Sequence, residues 1–336
     1  MTAAHPGELV VGVDSGGSGI RVALAEARAG RVLGTVRSRE PVRTGPGGIE
    51  AAPLLRRLLS AVASLRDGTA PSPEHPAALA EGAVAAVAVG AAGMATLGAE
   101  LRAELPGALE RALGVRRLVL AADAVTAYAG ALGQRSGAVV AGGTGMIALG
   151  TDLTTWRRAD GWGHLLGDCG SGAWIGRAGL EAAMRAYDGR RGGSAALLSR
   201  AEARFGPAAG LPGALYPRTD RPAVLASFAP EVAACASEGD PVAGEVLARA
   251  ARHIADAAEA VCPAGSTVDV ALTGGLFGIG EALLAPLRED LAERRPGARV
   301  VPAAGDPLAG AVLLASAHAA GALRLPQERG LLHLIS

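Results

Sequence analysis

Two hairpin patterns, one in each half of the chain, constrain the fold more than any other feature. In VVGVDSGGSGIRVALAE (10–26), an apolar run ends at Asp14 and a Gly/Ser turn precedes a second apolar run. In SGAVVAGGTGMIALG (136–150), two apolar runs flank a Gly/Thr turn. Apolar runs joined by a tight glycine turn are typical of antiparallel hairpins. The two patterns therefore predict two domains that each open with a hairpin.

The elements that follow each hairpin are predicted in a similar order. In the first half, three strands at 8–14, 20–27 and 31–38 precede alternating helices and strands that end at 116–123. In the second half, helix-rich segments precede further strands and a helix near 307–321. Strands that alternate with helices indicate an α/β protein with parallel sheets. We expect two duplicated α/β halves that face a cleft.

Charge and cysteine content exclude several classes of function. The 336 residues include 32 basic and 32 acidic side chains, for a net charge of +0, and no basic block is present. This composition predicts neither a nucleic-acid partner nor a membrane partner, and the absence of a signal pattern predicts a cytoplasmic location. The three cysteines form no CxxC pair, which argues against a disulfide framework or a cysteine-ligated cluster.

The chain contains no lysine and no asparagine. A Walker A loop requires a lysine, and a protein kinase requires both a lysine and a metal-binding asparagine. Pyridoxal phosphate chemistry also requires a lysine. If the protein handles phosphate, it must use backbone amides, hydroxyl groups, arginine and Mg²⁺.

The turn 14–19 has the composition of a phosphate-binding turn. Its glycines allow backbone amides to approach an anion closely, and Ser18 offers a hydroxyl group. Because a carboxylate beside phosphate requires a cation between them, we interpret Asp14 as a ligand of Mg²⁺ through water. The alternative is an ordinary hairpin turn with aspartate in a common turn position. The turn 142–146, GGTGM, has the same chemistry in the second half.

Asp123 lies where a predicted strand ends and a helix begins. One hypothesis is that it is the general base that accepts the proton of a hydroxyl group attacking a γ-phosphoryl group. The alternative is a helix N-cap without a chemical role.

The stretch 160–190, which begins DGWGHLLGDCGSG, holds two of the three tryptophans. Trp162 and Asp168 on a glycine-rich loop could bind a sugar through an aromatic face and a carboxylate. Alternatively, Trp162 plugs a tight loop and Asp168 caps a helix that begins near Gly170. We interpret His164 as structural, since no second ligand lies at metal spacing.

Five segments, in order, resemble a known family: DSGGSG, ADAV, GGTGM, GWGHLLGDCGSGAWIG and ALTGGLF. The chain resembles the BadF/BadG/BcrA/BcrD ATPase family, and within it the N-acetylglucosamine kinase branch. The resemblance implies a two-domain actin-like ATPase fold of the ribonuclease H type, with duplicated βββαβαβα halves around a nucleotide cleft. It implies an N-terminal phosphate and sugar domain (1–131 plus 308–336), a C-terminal nucleotide-binding domain (132–307), and a homodimer.

The resemblance also implies a role for each residue named above. Asp14 would hold Mg²⁺, and Asp123 would be the general base. The phosphates of ATP would contact both turns, at Gly16, Gly17, Ser18, Thr144 and Gly145. The sugar would contact Gly161, Trp162 and Asp168. The adenosine would lie against Gly274 and Gly275.

Two hypotheses of different classes follow from the resemblance. The first is an ATP-dependent amino-sugar kinase that phosphorylates the 6-hydroxyl of N-acetylglucosamine or a close relative. The second is an ATPase that acts as a nucleotide switch for a partner protein. The chain departs from the kinase pattern at Cys169, where many relatives have glutamate, at Met146, where serine is usual, and in having no asparagine for the sugar.

Overall fold

Two compact units make up the chain in a computed structural model that describes residues 8–16, 19–40, 44–45, 48–69, 82–265 and 267–336. Unit 1 comprises Met1–Arg135, Leu153–Trp156 and Ala303–Ser336, and unit 2 comprises Ser136–Asp152 and Arg157–Pro302. In the described part of the chain, no helix combines the length and the apolar character needed to cross a membrane.

Unit 1 contains a six-stranded sheet in the order β13-β7-β6-β1-β2-β3. The strands are β1 (Leu9–Gly16), β2 (Gly19–Glu26), β3 (Val32–Ser38), β4 (Thr44–Gly45), β5 (Gly48–Ile49), β6 (Val84–Ala91), β7 (Arg117–Ala122) and β13 (Leu332–Ile335). The helices are α1 (Ala51–Arg66), α2 (Met94–Leu97), α3 (Ala99–Leu113), α4 (Asp123–Leu132) and α12 (Pro307–Ala319). The short strands β4 and β5 pair only with each other.

The central strands of this sheet are buried along almost their whole length. β1 pairs antiparallel with β2 and parallel with β6, which in turn pairs parallel with β7. The β6 segment VAAVAVGA contains no polar side chain and is buried at nearly every position. Continuous apolar strands of this kind require cover on both faces, as in α/β proteins.

Helix α12 packs closely on β1 and on α4 because glycine residues stand at the points of contact. A Cβ atom at Gly12 would lie 2.7 Å from the backbone nitrogen of Val312, so a larger residue in β1 would push the helix away. Added Cβ atoms at Gly130 and Gly310 would overlap the facing backbone of the neighbouring segment. These contacts bring the start of α12 close to the sheet, because the packing distance is set by backbone rather than by side chains.

Unit 2 repeats the strand plan of unit 1. Its sheet has the order β10-β9-β8-β11-β12, in which a meander of three strands is extended by two parallel strands beside the first. The strands are β8 (Gly137–Gly142), β9 (Met146–Thr151), β10 (Trp156–Asp160), β11 (Val268–Thr273) and β12 (Ala298–Pro302). The order β3-β2-β1-β6-β7 in unit 1 has the same connections, which confirms the predicted duplication of two α/β halves.

The helices of unit 2 are more numerous than the sequence pattern indicates. They are α5 (Gly172–Tyr187), α6 (Ala195–Phe205), α7 (Leu211–Leu215), α8 (Arg221–Ala226), α9 (Ala229–Ser237), α10 (Pro241–Val261) and α11 (Glu281–Arg294), with 3₁₀ turns at Ala208–Gly210 and Gly275–Ile279. They share an apolar core that includes Phe228 and Ile254, both fully buried. Helix α5 begins immediately after the glycine-rich stretch that sequence analysis associates with sugar.

Candidate functional site

Asp14 and Asp123 lie at the same edge of the unit 1 sheet. Asp14 pairs in register with Gly90 of β6, and Gly90 pairs with Ala121 of β7. Asp123 follows Ala121 by two residues, at the end of the strand. Since neighbouring strands are about 4.8 Å apart, the two positions are separated by roughly 10 Å across the strands. Carboxyl edges of parallel strands are where open α/β sheets bind ligands.

The Asp14 carboxylate is held by an arginine from the opposite strand of the hairpin. Arg21 pairs in register with Asp14, and its Nε and Nη2 atoms donate to Asp14 Oδ2 at 3.0 and 2.7 Å. Its Nη1 atom donates to Oδ2 of Asp306 at 2.5 Å. Asp306 also accepts the N–H of Ala309 at the start of α12. The two carboxylates and the guanidinium of this group together carry a net charge of −1.

These groups fit a magnesium ion that takes most of its ligands from phosphate and water. Among the described residues, no three His, Cys, Asp or Glu side chains are grouped so that they could hold a metal. Mg²⁺ in phosphate sites typically keeps several waters and takes only one or two carboxylates. Asp14 lines a cavity of about 130 Å³ together with Gly19, Ile20, Arg21, Arg37 and Ser38.

Asp123 is the first residue of α4 rather than its cap. Ala122 occupies the N-cap position, and the Oδ1 atom of Asp123 accepts the N–H of Ala124 at 2.9 Å. The side chain is only partly buried. A carboxylate in the first turn is favoured by the helix dipole and can accept several further hydrogen bonds. The predicted N-cap role is therefore wrong, and the role of Asp123 as a general base stays a prediction.

The first glycine turn is described at its two ends only. Gly16 and Gly19 pair with each other across the hairpin, and Gly19 has a φ angle of +122°. A Cβ atom at Gly19 would overlap the Ser38 carbonyl oxygen, so this position requires glycine. The predicted phosphate contacts of Gly17 and Ser18 lie outside the described residues.

The second glycine turn, 142–146, joins β8 to β9 and abuts the start of α5. The amides of Gly172 and Ala173 donate to the carbonyl oxygens of Gly143 and Thr144 at 2.9 and 3.1 Å. Thr144 is exposed at the tip of the turn. The turn is thus fixed to the positive end of a 16-residue helix, which is a favourable position for an anion.

Asp168 lies directly against this second turn. A Cβ atom at Gly145 would lie 2.6 Å from Asp168 Oδ2, so the carboxylate occupies the space that a side chain would need. The carboxylate accepts the amides of Gly163, at 3.2 Å, and Met146. Burial raises the pKa of Asp168, and the nearby Asp160 carboxylate adds to that effect. The structure therefore brings a residue predicted to bind sugar together with the turn predicted to bind phosphate.

The loop that carries Asp168 exposes its aromatic and aliphatic side chains. Trp162 is 64% exposed, with the Arg158 guanidinium 4.3 Å from the centre of its ring, and Leu165 and Leu166 are also exposed. The alternative in which Trp162 plugs the loop is therefore wrong. The alternative in which Asp168 caps α5 is wrong as well, because Ser171 occupies that position and its hydroxyl accepts the amide of Trp174.

Gly161 and Gly274 both have positive φ angles and close neighbours in unit 2. Gly161 has a φ angle of +75°, and a Cβ atom there would lie 2.8 Å from the Ile147 side chain. Gly274 follows β11 with a φ angle of +100°, and its Cβ atom would overlap the carbonyl oxygen of Gly142. A Cβ atom at Gly275 would meet nothing within 4 Å, which leaves its backbone open to a ligand.

Comparison with models of known families shows which family the chain belongs to. The model of the BadF/BadG/BcrA/BcrD ATPase family matches residues 11–315. The chain belongs to the BadF/BadG/BcrA/BcrD ATPase family. The matched region includes both glycine turns, Asp123, the 160–169 loop and the Gly274–Gly275 pair.

One curated relative matches a short part of the chain, and two solved structures match almost all of it. An N-acetylmuramic acid/N-acetylglucosamine kinase from Clostridium acetobutylicum is 39% identical over 82 residues, which are 24% of this chain and 27% of that protein. A candidate N-acetylglucosamine kinase from Chromobacterium violaceum has 29% identity and a TM-score of 0.69, with 92% of this chain and 99% of that chain covered. A ROK family glucokinase from Streptomyces griseus, solved with glucose and AMPPNP, has 24% identity and a TM-score of 0.55, with 94% and 99% covered. The last likeness shows the actin-like sugar kinase fold.

Three charged residues that lie beside the predicted site residues of their own unit are not identified from the sequence: Arg21 and Asp306 in unit 1 and Asp160 in unit 2. Arg21 could have been found from hairpin register, because a two-residue turn between Gly16 and Gly19 places it opposite Asp14. Asp306 lies 285 residues from Arg21 in sequence, and no local pattern links the two. Asp160 precedes a Gly-Trp-Gly sequence and has a φ angle of +60°, which aspartate tolerates better than most residues.

Proposed function

We propose that this chain is an ATP-dependent sugar kinase that phosphorylates the 6-hydroxyl of N-acetylglucosamine or a close relative. The observation that carries the proposal is the contact between Asp168 and the second glycine turn, because it joins a sugar-type carboxylate to a phosphate-type turn. The names of the relatives from C. acetobutylicum and C. violaceum support an amino-sugar acceptor.

In the proposed reaction, unit 1 supplies the base and the metal-binding carboxylate. Asp123 accepts the proton of the sugar hydroxyl as its oxygen attacks the γ-phosphorus, and the bond to ADP breaks. Asp14 would hold Mg²⁺, which when bound supplies charge neutralisation on the phosphates. The amides of the first turn, at Gly16, Gly17 and Ser18, contact the same phosphates.

Unit 2 supplies the second phosphate turn and the sugar loop in this proposal. Thr144 and Gly145 contact the phosphates, and the open backbone of Gly274 and Gly275 lies against the adenosine. Trp162 presents its exposed ring to an apolar sugar face, and Asp168 accepts sugar hydroxyl groups together with Gly161. We further propose that the enzyme is a cytoplasmic homodimer, which a mass measurement in solution would test.

An assay of ADP release with Mg-ATP and a panel of sugars tests the reaction itself. We expect release to depend on N-acetylglucosamine or a close relative, because Asp168 and Trp162 offer a carboxylate and a ring to one sugar. The panel includes glucosamine, N-acetylmannosamine, N-acetylmuramic acid and glucose, with a sugar-free control. ADP release at the same rate without sugar would contradict the kinase and support the nucleotide switch.

Asp168→Asn tests the sugar-binding carboxylate. We expect the KM for sugar to rise about tenfold or more, since a hydrogen bond to a charged group contributes about 1.5–3 kcal/mol. The melting temperature should stay equal or increase, because burial raises the pKa of Asp168 and so disfavours the charged form in the folded state. A lower melting temperature with an unchanged KM would mean that the carboxylate serves the fold and not the sugar.

A further inference from the structure

Asp160 has the most unusual environment among the carboxylates of the sugar loop. It is the last residue of β10, and its φ angle of +60° lies in the left-handed region. Its Oδ1 atom accepts the amide of Asp168 at 2.5 Å, and its Oδ2 atom accepts the amide of Cys169 at 2.8 Å. Both oxygens are therefore bonded to backbone at the far end of the loop.

These two bonds close the loop 160–169 at its base. Gly167 has no space for a side chain, because a Cβ atom there would overlap Asp160 Oδ1. Arg158 fixes the near end, since its Nε and Nη2 atoms donate to the carbonyl oxygens of Asp160 and Gly161 at 3.0 and 2.6 Å. Asp168 in turn has a φ angle of +53°, a strained value that persists only where neighbours hold it.

We infer that Asp160 is a positioning residue for sugar recognition: its carboxylate closes the loop and holds Asp168 against the second glycine turn. This inference rests on the proposed function for its link to sugar. Cys169, at the position where many relatives have glutamate, lies beside the same Asp160 carboxylate. The Oδ2 atom of Asp160 accepts the amide of Cys169 at 2.8 Å.

Cys169 itself does not replace the missing carboxylate. Burial raises the pKa of its thiol, and the nearby Asp160 adds to that effect. The thiol therefore stays neutral and is a poor hydrogen-bond acceptor. Asp160 and Asp168 are the carboxylates of the loop, and the basic side chains that face them are His164 near Asp168 and Arg177 near Cys169.

The test is Asp160→Gly, which removes the carboxylate and suits the positive φ angle. We expect the amides of Asp168 and Cys169 to exchange with solvent at least tenfold faster, because each loses its acceptor. We expect the KM for sugar to rise at least tenfold and the KM for ATP to change less than twofold. Asp160→Asn should have a smaller effect on exchange, because it keeps one carbonyl oxygen for one of the two amides.

The matched control is Leu153→Gly, another non-glycine residue with positive φ, at +73°. It relieves the same backbone strain but removes no carboxylate, so both KM values should stay within twofold of the native protein. Hydrogen exchange requires no turnover. It therefore measures the hydrogen bonds of the loop even if the protein phosphorylates no sugar. Unchanged exchange at 168 and 169 in Asp160→Gly would overturn the inference. Faster exchange with an unchanged sugar KM would overturn its link to sugar.

Discussion

Asp123→Asn should lower kcat about 10³-fold, because a positioned general base contributes roughly 10²-fold to 10⁴-fold to a proton transfer. The amide keeps an oxygen for the Ala124 N–H, which Asp123 accepts at 2.9 Å, so α4 should begin at the same residue. The KM values for ATP and sugar should stay within about threefold. Steady-state kinetics in which Mg-ATP and sugar are varied in turn, each with the other saturating, measure all three values.

Asp240→Ala provides the structural control for this prediction. Asp240 caps α10 by accepting the Ala243 amide at 2.8 Å, and it also accepts the Ser194 hydroxyl at 2.6 Å. Its removal should cost about 1–2 kcal/mol of unfolding free energy with turnover almost unchanged. If Asp123→Asn retains more than a tenth of native kcat, another group is the base.

The duplicated strand plan could be predicted because its signals are local. A glycine turn between two apolar runs fixes a hairpin, and alternating helices and strands fix parallel neighbours. The same two signals occur in both halves and predict a shared strand plan. The two observed sheets follow that plan and differ by the C-terminal strand β13 (Leu332–Ile335). This short strand follows a helix and carries no turn or periodicity that would indicate its partner, β7.

Contacts between the candidate site residues could be predicted only where the two residues are close together in sequence. Arg21 lies opposite Asp14 by hairpin register, whereas Asp306 comes to Arg21 only because α12 packs on β1 at Gly12. Close packing of a helix against a strand at a glycine is a tertiary contact, and no local sequence pattern predicts it. The contact of Asp168 with Gly145 is of the same kind, since two separately predicted motifs meet through the start of α5.

The helix-rich part of unit 2 shows a different limit. The second half is predicted to be helix-rich. The structure confirms this and divides the helical part of the chain at glycine, proline and aspartate residues. Ser194 and Asp240 cap new helices through their side chains. These boundaries are visible in the sequence, since each cap follows a glycine, at Gly193 and Gly239, but the helix-rich composition of the whole segment does not resolve them.

Asp14→Asn should lower kcat/KM for Mg-ATP by roughly 10²-fold to 10³-fold, since charge neutralisation by a metal contributes several kcal/mol and each 1.36 kcal/mol is tenfold. The Mg²⁺ concentration for half-maximal rate should rise in parallel, because an amide is a weaker ligand than a carboxylate. Removal of divalent ions with a chelator should abolish turnover in both proteins. Titration with Mg²⁺ at fixed ATP measures the change.

The loss could instead arise from the ion pair with Arg21, and Asp306→Asn separates the two causes. Arg21 contacts both aspartates, and asparagine is as good a helix cap as aspartate, so this variant disturbs the arginine while α12 keeps its start. We expect a change in kcat/KM of no more than a few-fold, with the Mg²⁺ requirement unchanged. Equal losses of kcat/KM in both variants, with the Mg²⁺ requirement unchanged, would mean that Asp14 stabilises the hairpin through its ion pair with Arg21 and does not bind the metal. A shift in Asp14→Asn alone would mean that the carboxylate at the end of β1 acts through the cation, with Arg21 holding it in place.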